Sequence, residues 1–223
     1  MIVNTVEQVI KEMENVASPK TRESQKRFAI RPVNNLGLTT PQMRVIAKKI
    51  GQNHLLALQL WKTKIHEARH IAIKIADPKQ VTEKLMERWI KDFDSWDIVD
   101  NCCGTLFDKT PLAYEKAIEW TTRKKEFEKR AAFSMMAVLA IHDKKSDDAQ
   151  FEQFFPFIIN ESTDERNFVR KAVNWALRQI GKRNARLCAK AIRVAKEIHA
   201  KGDSSSRWIA SDALRELEKR KLK

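Results

Sequence analysis

The stretch 66-HEARHIAIKIA-76 reads in two ways, and the choice between them decides the fold. Its first five residues fit H-E-x-x-H, in which two histidines one helical turn apart hold zinc and the glutamate acts as general base. The same stretch also opens an Ala- and Ile-rich amphipathic helix, with Glu67 in a first turn where an acid suits the helix dipole. A zinc peptidase needs a third ligand and a sheet behind the motif. Here no H-x-x-G-x-x-H extension follows, no acidic partner helix is evident, and no run of alternating residues reads as a strand. The helical reading prevails, and neither a metal nor any other cofactor is expected.

Outward from this stretch the chain echoes it. The segments 129-KRAAFSMMAVL-139, 170-RKAVNWALRQI-180 and 206-SRWIASDALREL-217 each begin with charge and continue into an Ala-rich amphipathic helix. Arg69, Arg130, Arg170 and Arg207 recur at spacings of 61, 40 and 37 residues, the scale of HEAT-like helix pairs. Helical periodicity predicts helices at about 3–16, 20–29, 40–50, 53–62, 66–77, 79–92, 95–108, 111–122, 126–142, 147–159, 164–181, 185–200 and 205–221. Thr40-Pro41 and Thr110-Pro111 read as helix starts, Asp94 with Asp97 as a capping box, and Gly51, Gly181 and Gly202 as stops. The only loose stretch is 30-IRPVNNLGLTT-40, and no boundary is visible. The fold class expected is all-α, with residues 1–223 as one HEAT-like helical repeat domain (an α-solenoid) carrying a concave basic groove.

Composition agrees. Only 5 Gly and 6 Pro interrupt 223 residues, and the charged 32% is mostly helix formers. The formal charge of +14 calls for a polyanionic partner, with nucleic acid first. The excess concentrates late: from Asp164 to Lys223 there are 17 Lys/Arg against 7 Asp/Glu, part of it in the tail 219-KRKLK-223. So charged a face is ill suited to burial in a dimer, so a monomer is expected. Cys102, Cys103 and Cys188 form no CxxC pair, and an odd count fits small core residues in a reducing cytoplasm. The N-terminus lacks the pattern of a signal peptide, and no apolar run is long enough for a membrane span.

Two further constellations carry chemistry. In 170-RKAVNWALRQIGKR-183, Lys171, Trp175, Arg178 and Lys182 fall on one helical face, and basic side chains interleaved with an aromatic suit a phosphate backbone beside sugars or bases. In 95-SWDIVDNCCGTLF-107, Trp96 and Asp100 stand four apart on a shared face, continued by Cys103 and Phe107. Spacing alone also allows the plainer reading, a packed Trp96 and a surface-paired Asp100.

The segments 36-LGLTTPQMR-44, 95-SWDIVD-100, 128-EKRAAF-133 and 170-RKAVNWALR-178, in this order, resemble the AlkD-like DNA alkylation repair family, HEAT-repeat glycosylases acting on N-alkylated purines. The resemblance covers roughly residues 20 to 200. It implies Trp96 and Trp175 as aromatic walls of a cleft, Asp100 as the catalytic carboxylate, and Arg130 as the arginine beside it. Lys171, Arg178 and Lys182, with Arg170 and Arg44, are the expected DNA-binding cations. The implied activity is excision of cationic alkylpurines such as 3-methyladenine and 7-methylguanine, without base flipping; no nucleobase pocket is evident in the sequence. The implied partner is double-stranded DNA with alkylated bases, or branched DNA, since some relatives bind it without glycosylase activity. The chain departs from the family where Ser95 replaces the first Trp of its Ser-Trp-Trp-Asp-x-Val-Asp pattern. Phe28 stands where the family has a tyrosine, on a helix that in the family helps clamp DNA.

Overall fold

The computed structural model describes residues 4–30 and 32–220. Met1–Val3, Arg31 in the loose stretch and the last three residues of the basic tail lie outside them. The chain divides into two compact units, Met1–Thr110 and Pro111–Lys223. Among the described residues all regular structure is helical, and no helix is long and apolar enough to cross a membrane.

The first unit holds α1 (Val6–Glu14), α2 (Pro19–Arg27), α3 (Thr40–Ile50), α4 (His54–Lys62), α5 (His66–Ile75), α6 (Glu83–Lys91) and α7 (Trp96–Thr105). Helix α5 is its centre: it packs on α3, α4 and α7, and nine of its ten residues are buried. Trp61 of α4 stacks on Trp89 of α6 with ring centroids 3.9 Å apart, and the Arg69 guanidinium lies 5.1 Å from the Trp61 ring.

The second unit holds α8 (Ala113–Glu119), α9 (Glu126–His142), α10 (Ala149–Glu152), α11 (Phe155–Asn160), α12 (Asn167–Gly181), α13 (Ala185–Ala200) and α14 (Ser204–Leu217). Helix α9 packs on α8 and α12, and α12 on α13 and α14. This stacking of second helices is what a HEAT-like echo requires, because each pair buries its apolar face only against its neighbour.

The Arg-led echo has a structural meaning in part. Arg69 is buried and donates to the Asp92 carbonyl at 3.1 Å and to Asp94 at 3.3 Å. Arg130 is buried and donates to the Phe168 carbonyl at 2.7 Å. Arg170 lies 4.9 Å from the Trp208 ring, whereas Arg207 is exposed. The first two are therefore internal fasteners between helices.

Helices α3 and α9 occupy the ranges expected, and Thr39 caps α3 in a box with Gln42, with Pro41 in the first turn. Gly51 and Gly202 follow α3 and α13 as stops. Three expectations are corrected. Helix α8 begins at Ala113, after Thr110-Pro111 rather than on it, with no side-chain cap. Ser95, not Asp94, precedes α7, and the carboxylate of Asp97 receives the Ser95 hydroxyl instead of closing a box. Gly181 ends no turn: it is the last residue of α12, where a Cβ would come within 2.9 Å of the Ala191 and Leu217 side chains. The three cysteines are buried and free, as small core residues should be.

Candidate functional site

Trp96 and Asp100 stand one turn apart on α7, and both line a cavity of about 430 Å³ within the first unit. The sequence suggested no such pocket. Its walls come from α2 with the loop after it, the start of α3, one face of α5 and the exposed side of α7. The indole of Trp96 is fixed by a 2.9 Å hydrogen bond from its Nε1 to the carbonyl of Phe28, whose own ring is 67% exposed at the pocket wall.

The loop that brings Leu38 and Thr39 to the pocket is anchored by Glu67, the glutamate of the H-E-x-x-H match. Glu67 is fully buried, and its oxygens accept the backbone N–H groups of Leu36, Gly37 and Leu38 at 3.0, 2.7 and 3.1 Å. A carboxylate spent on three main-chain donors has no role left as a general base. It clasps the loop before α3 onto α5. Gly37 is required in that loop: its φ is 81°, and a Cβ there would stand 2.2 Å from the Ser18 carbonyl oxygen.

The two histidines of the motif meet an acid after all. The expectation that no acidic partner helix would approach them is corrected: Asp97 of α7 accepts from His66 Nε2 at 2.9 Å and from His70 Nε2 at 3.0 Å. These donor atoms lie within 4.8 Å of one another, a set able to hold a cation. The surrounding bonds favour a network of protons instead. Lys74 donates to Asn101 Oδ1 at 3.2 Å, which turns the Asn101 amide nitrogen toward His70 Nδ1 at 2.9 Å. His70 Nδ1 must then accept, so its proton sits on Nε2 and is donated to Asp97. Burial lowers the pKa of His70 and keeps it neutral, despite Asp97 pulling the other way. For Asp97 burial opposes ionisation, but the hydrogen bonds from His66 and His70 outweigh it and hold the carboxyl far below the usual carboxylate range. The cluster rivets α5 to the first turn of α7 and so fixes where Trp96 and Asp100 stand. Sequence spacing pairs His66 with His70 but gives no sign of Asp97, 27 residues beyond His70.

Apart from Arg44, the remaining expected site residues belong to the second unit. Arg130 is on α9, buried and bonded to the Phe168 carbonyl as above; Trp175 is half-buried on α12. Lys171 is exposed on the same helix. Arg178 and Lys182, expected to face phosphates, are engaged by α14. Arg178 meets Glu216 at 2.6 Å and Asp212 at 3.6 Å, and Lys182 pairs with Glu216. Arg44 is exposed on α3 of the first unit.

A sequence profile of the family described as "DNA alkylation repair enzyme" matches residues 9–217. No curated protein sequence matches the chain. Among solved structures, one described as "a new family of proteins related to the HEAT-like repeat DNA glycosylases with affinity for branched DNA structures" matches with a TM-score of 0.78. The two are 23% identical over 95% of each chain.

Proposed function

Because the chain belongs to the DNA alkylation repair enzyme family, we propose that it is a monofunctional DNA glycosylase, releasing cationic N-alkylated purines by hydrolysis of the N-glycosidic bond. The observation that carries this reading is the pairing of Trp96 and Asp100, one turn apart on α7, in a single pocket. An alkylated purine such as 3-methyladenine or 7-methylguanine is already cationic and leaves without being protonated. What the reaction requires is stabilisation of positive charge on the deoxyribose, and a water. A carboxylate at Asp100 supplies electrostatic stabilisation as the charge develops and can orient that water. The Trp96 ring, held by the Phe28 carbonyl, offers its negative face to the cationic sugar and base.

In this reading Trp175 is a second aromatic contact to the DNA and Arg130 a further catalytic residue, roles taken from the family pattern. The lesion is gripped without being flipped out of the duplex, and Lys171, Arg178, Lys182, Arg170 and Arg44 follow the phosphates. Arg178 and Lys182 must then exchange Glu216 and Asp212 for DNA. The cost is small, since partly exposed ion pairs are worth about 0–1 kcal/mol.

A second reading is favoured by one departure from the family pattern. Ser95 stands where the family has the first of two tryptophans, and the similar structure is described by affinity for branched DNA. A chain that binds branched DNA without turnover fits both facts. Incubation with methylated duplex separates the readings: alkylpurine release supports the glycosylase, whereas tight binding of a four-way junction with no release from any alkylated substrate supports the binder.

A further inference from the structure

On the pocket's edge, Lys74 points from α5 into the space that Trp96 and Asp100 also line. It donates to Asn101 Oδ1 at 3.2 Å; Thr105 donates to the same oxygen at 3.1 Å, and Lys109 Nζ donates to the Thr105 carbonyl at 2.6 Å. Lys74 and Lys109 are thus joined through one face of α7. Arg44, exposed on α3, adds a repulsive charge to Lys74. Among the described residues none of the three forms an ion pair with a carboxylate.

This arrangement opposes folding. Burial disfavours the Lys74 ammonium, and Arg44 and Lys109 repel it; together they lower its pKa. A group whose pKa falls on folding costs stability wherever it is charged in both states, and that cost fades as pH rises from the lowered value to the ordinary one. A pocket-lining ammonium repelled by two further cations, with no ion pair among the described residues, suits an anion from outside.

Resting on the glycosylase reading, we propose that Lys74, with Lys109 and Arg44 beside it, binds a DNA backbone phosphate next to the sugar held by Trp96 and Asp100. The pocket would then take a sugar–phosphate unit, with the carboxylate toward the sugar and the ammonium toward the phosphate. That division of charge suits a reaction in which the sugar becomes cationic while its phosphate stays anionic.

Duplex binding by fluorescence anisotropy across a salt series tests this, with Lys74→Gln, Lys109→Gln, Arg44→Gln and Lys74→Arg beside wild type. Each phosphate contact removed should lower the slope of log K against log salt by about 0.9. Lys74→Gln should show this loss and Lys74→Arg should restore it. Lys74→Gln should also melt no lower than wild type, because a repelled charge has gone. In alkaline buffer, wild-type binding should take up a proton as the phosphate recharges Lys74, and Lys74→Arg should take up none. Wild-type slopes in Lys74→Gln and Lys109→Gln would overturn the proposal while leaving a DNA-binding chain intact. So would a Lys74→Gln protein that is less stable yet binds normally, since Lys74 would then merely brace Asn101. Wild-type affinity indifferent to salt would remove both this proposal and the reading beneath it.

Discussion

Two basic regions of this chain treat their charge in opposite ways. Along α12, Arg178 and Lys182 are answered by Asp212 and Glu216 of α14. In the first unit, Lys74 lines the pocket and is repelled by Arg44 of α3 and Lys109 after α7, and among the described residues none of the three forms an ion pair with a carboxylate. The first region is conspicuous in the sequence because its cations repeat along one helix face. The second is invisible there, because its members come from three separate elements. Cation count along a helix measures what the sequence contains; what remains for a polyanion depends on the acids that the fold brings alongside.

The largest effect is expected at Glu67. Glu67→Ala would leave three buried main-chain N–H groups without an acceptor and should cost about 3 kcal/mol or more in urea unfolding. With the clasp gone, the loop before α3 no longer holds Leu38 and Thr39 at the pocket, so the Lys74 site should lose its share of DNA affinity while the α12 variants keep their effect.

Asp97→Asn comes next. It removes the charge that accepts from His66, His70 and Ser95, and should destabilise the protein by about 2 kcal/mol at neutral pH. Because folding lowers the Asp97 pKa, its contribution is present above the ordinary carboxylate pKa and fades as pH falls below about 4. Wild type should therefore lose stability in acid more steeply than Asp97→Asn; parallel acid limbs would mean that the histidines do not hold this carboxylate.

The smallest effect is expected on the α12 face. Glu216→Gln frees Lys182, leaves Arg178 with Asp212 alone and removes a negative charge beside α12. If that face meets DNA, affinity should rise about two- to fivefold, the range of a partly exposed ion pair. Unchanged affinity would assign the DNA contacts elsewhere and leave the pocket cluster as the principal phosphate site.

Legibility followed the range of the interactions. Helices α3 and α9 were readable to their ends because their signals are local: Thr40-Pro41 and a Gly stop for α3, and an unbroken helical pattern for α9. The stretch 147–159 read as one helix but forms α10 and α11, broken between Glu152 and Phe155 where apolar Phe154 and Phe155 mask the turn. Trp96 and Asp100 were readable as a pair because four residues on a helix make one face. The partners of Glu67 and of the two histidines were not, since Gly37 and Asp97 approach only through tertiary packing. The H-E-x-x-H match illustrates both limits: its helix was correctly read, and the acid that answers its histidines was not foreseen.

In the proposed mechanism Asp100 acts on a developing sugar cation. Single-turnover release of 7-methylguanine from a defined duplex, by wild type and Asp100→Asn, tests it most directly. The carboxylate's contribution grows only in the transition state, so its loss should slow release on the order of a hundredfold while leaving duplex affinity equal or slightly tighter. Equal release rates for the two proteins would make Asp100 an ordinary helix carboxylate and would contradict the mechanism.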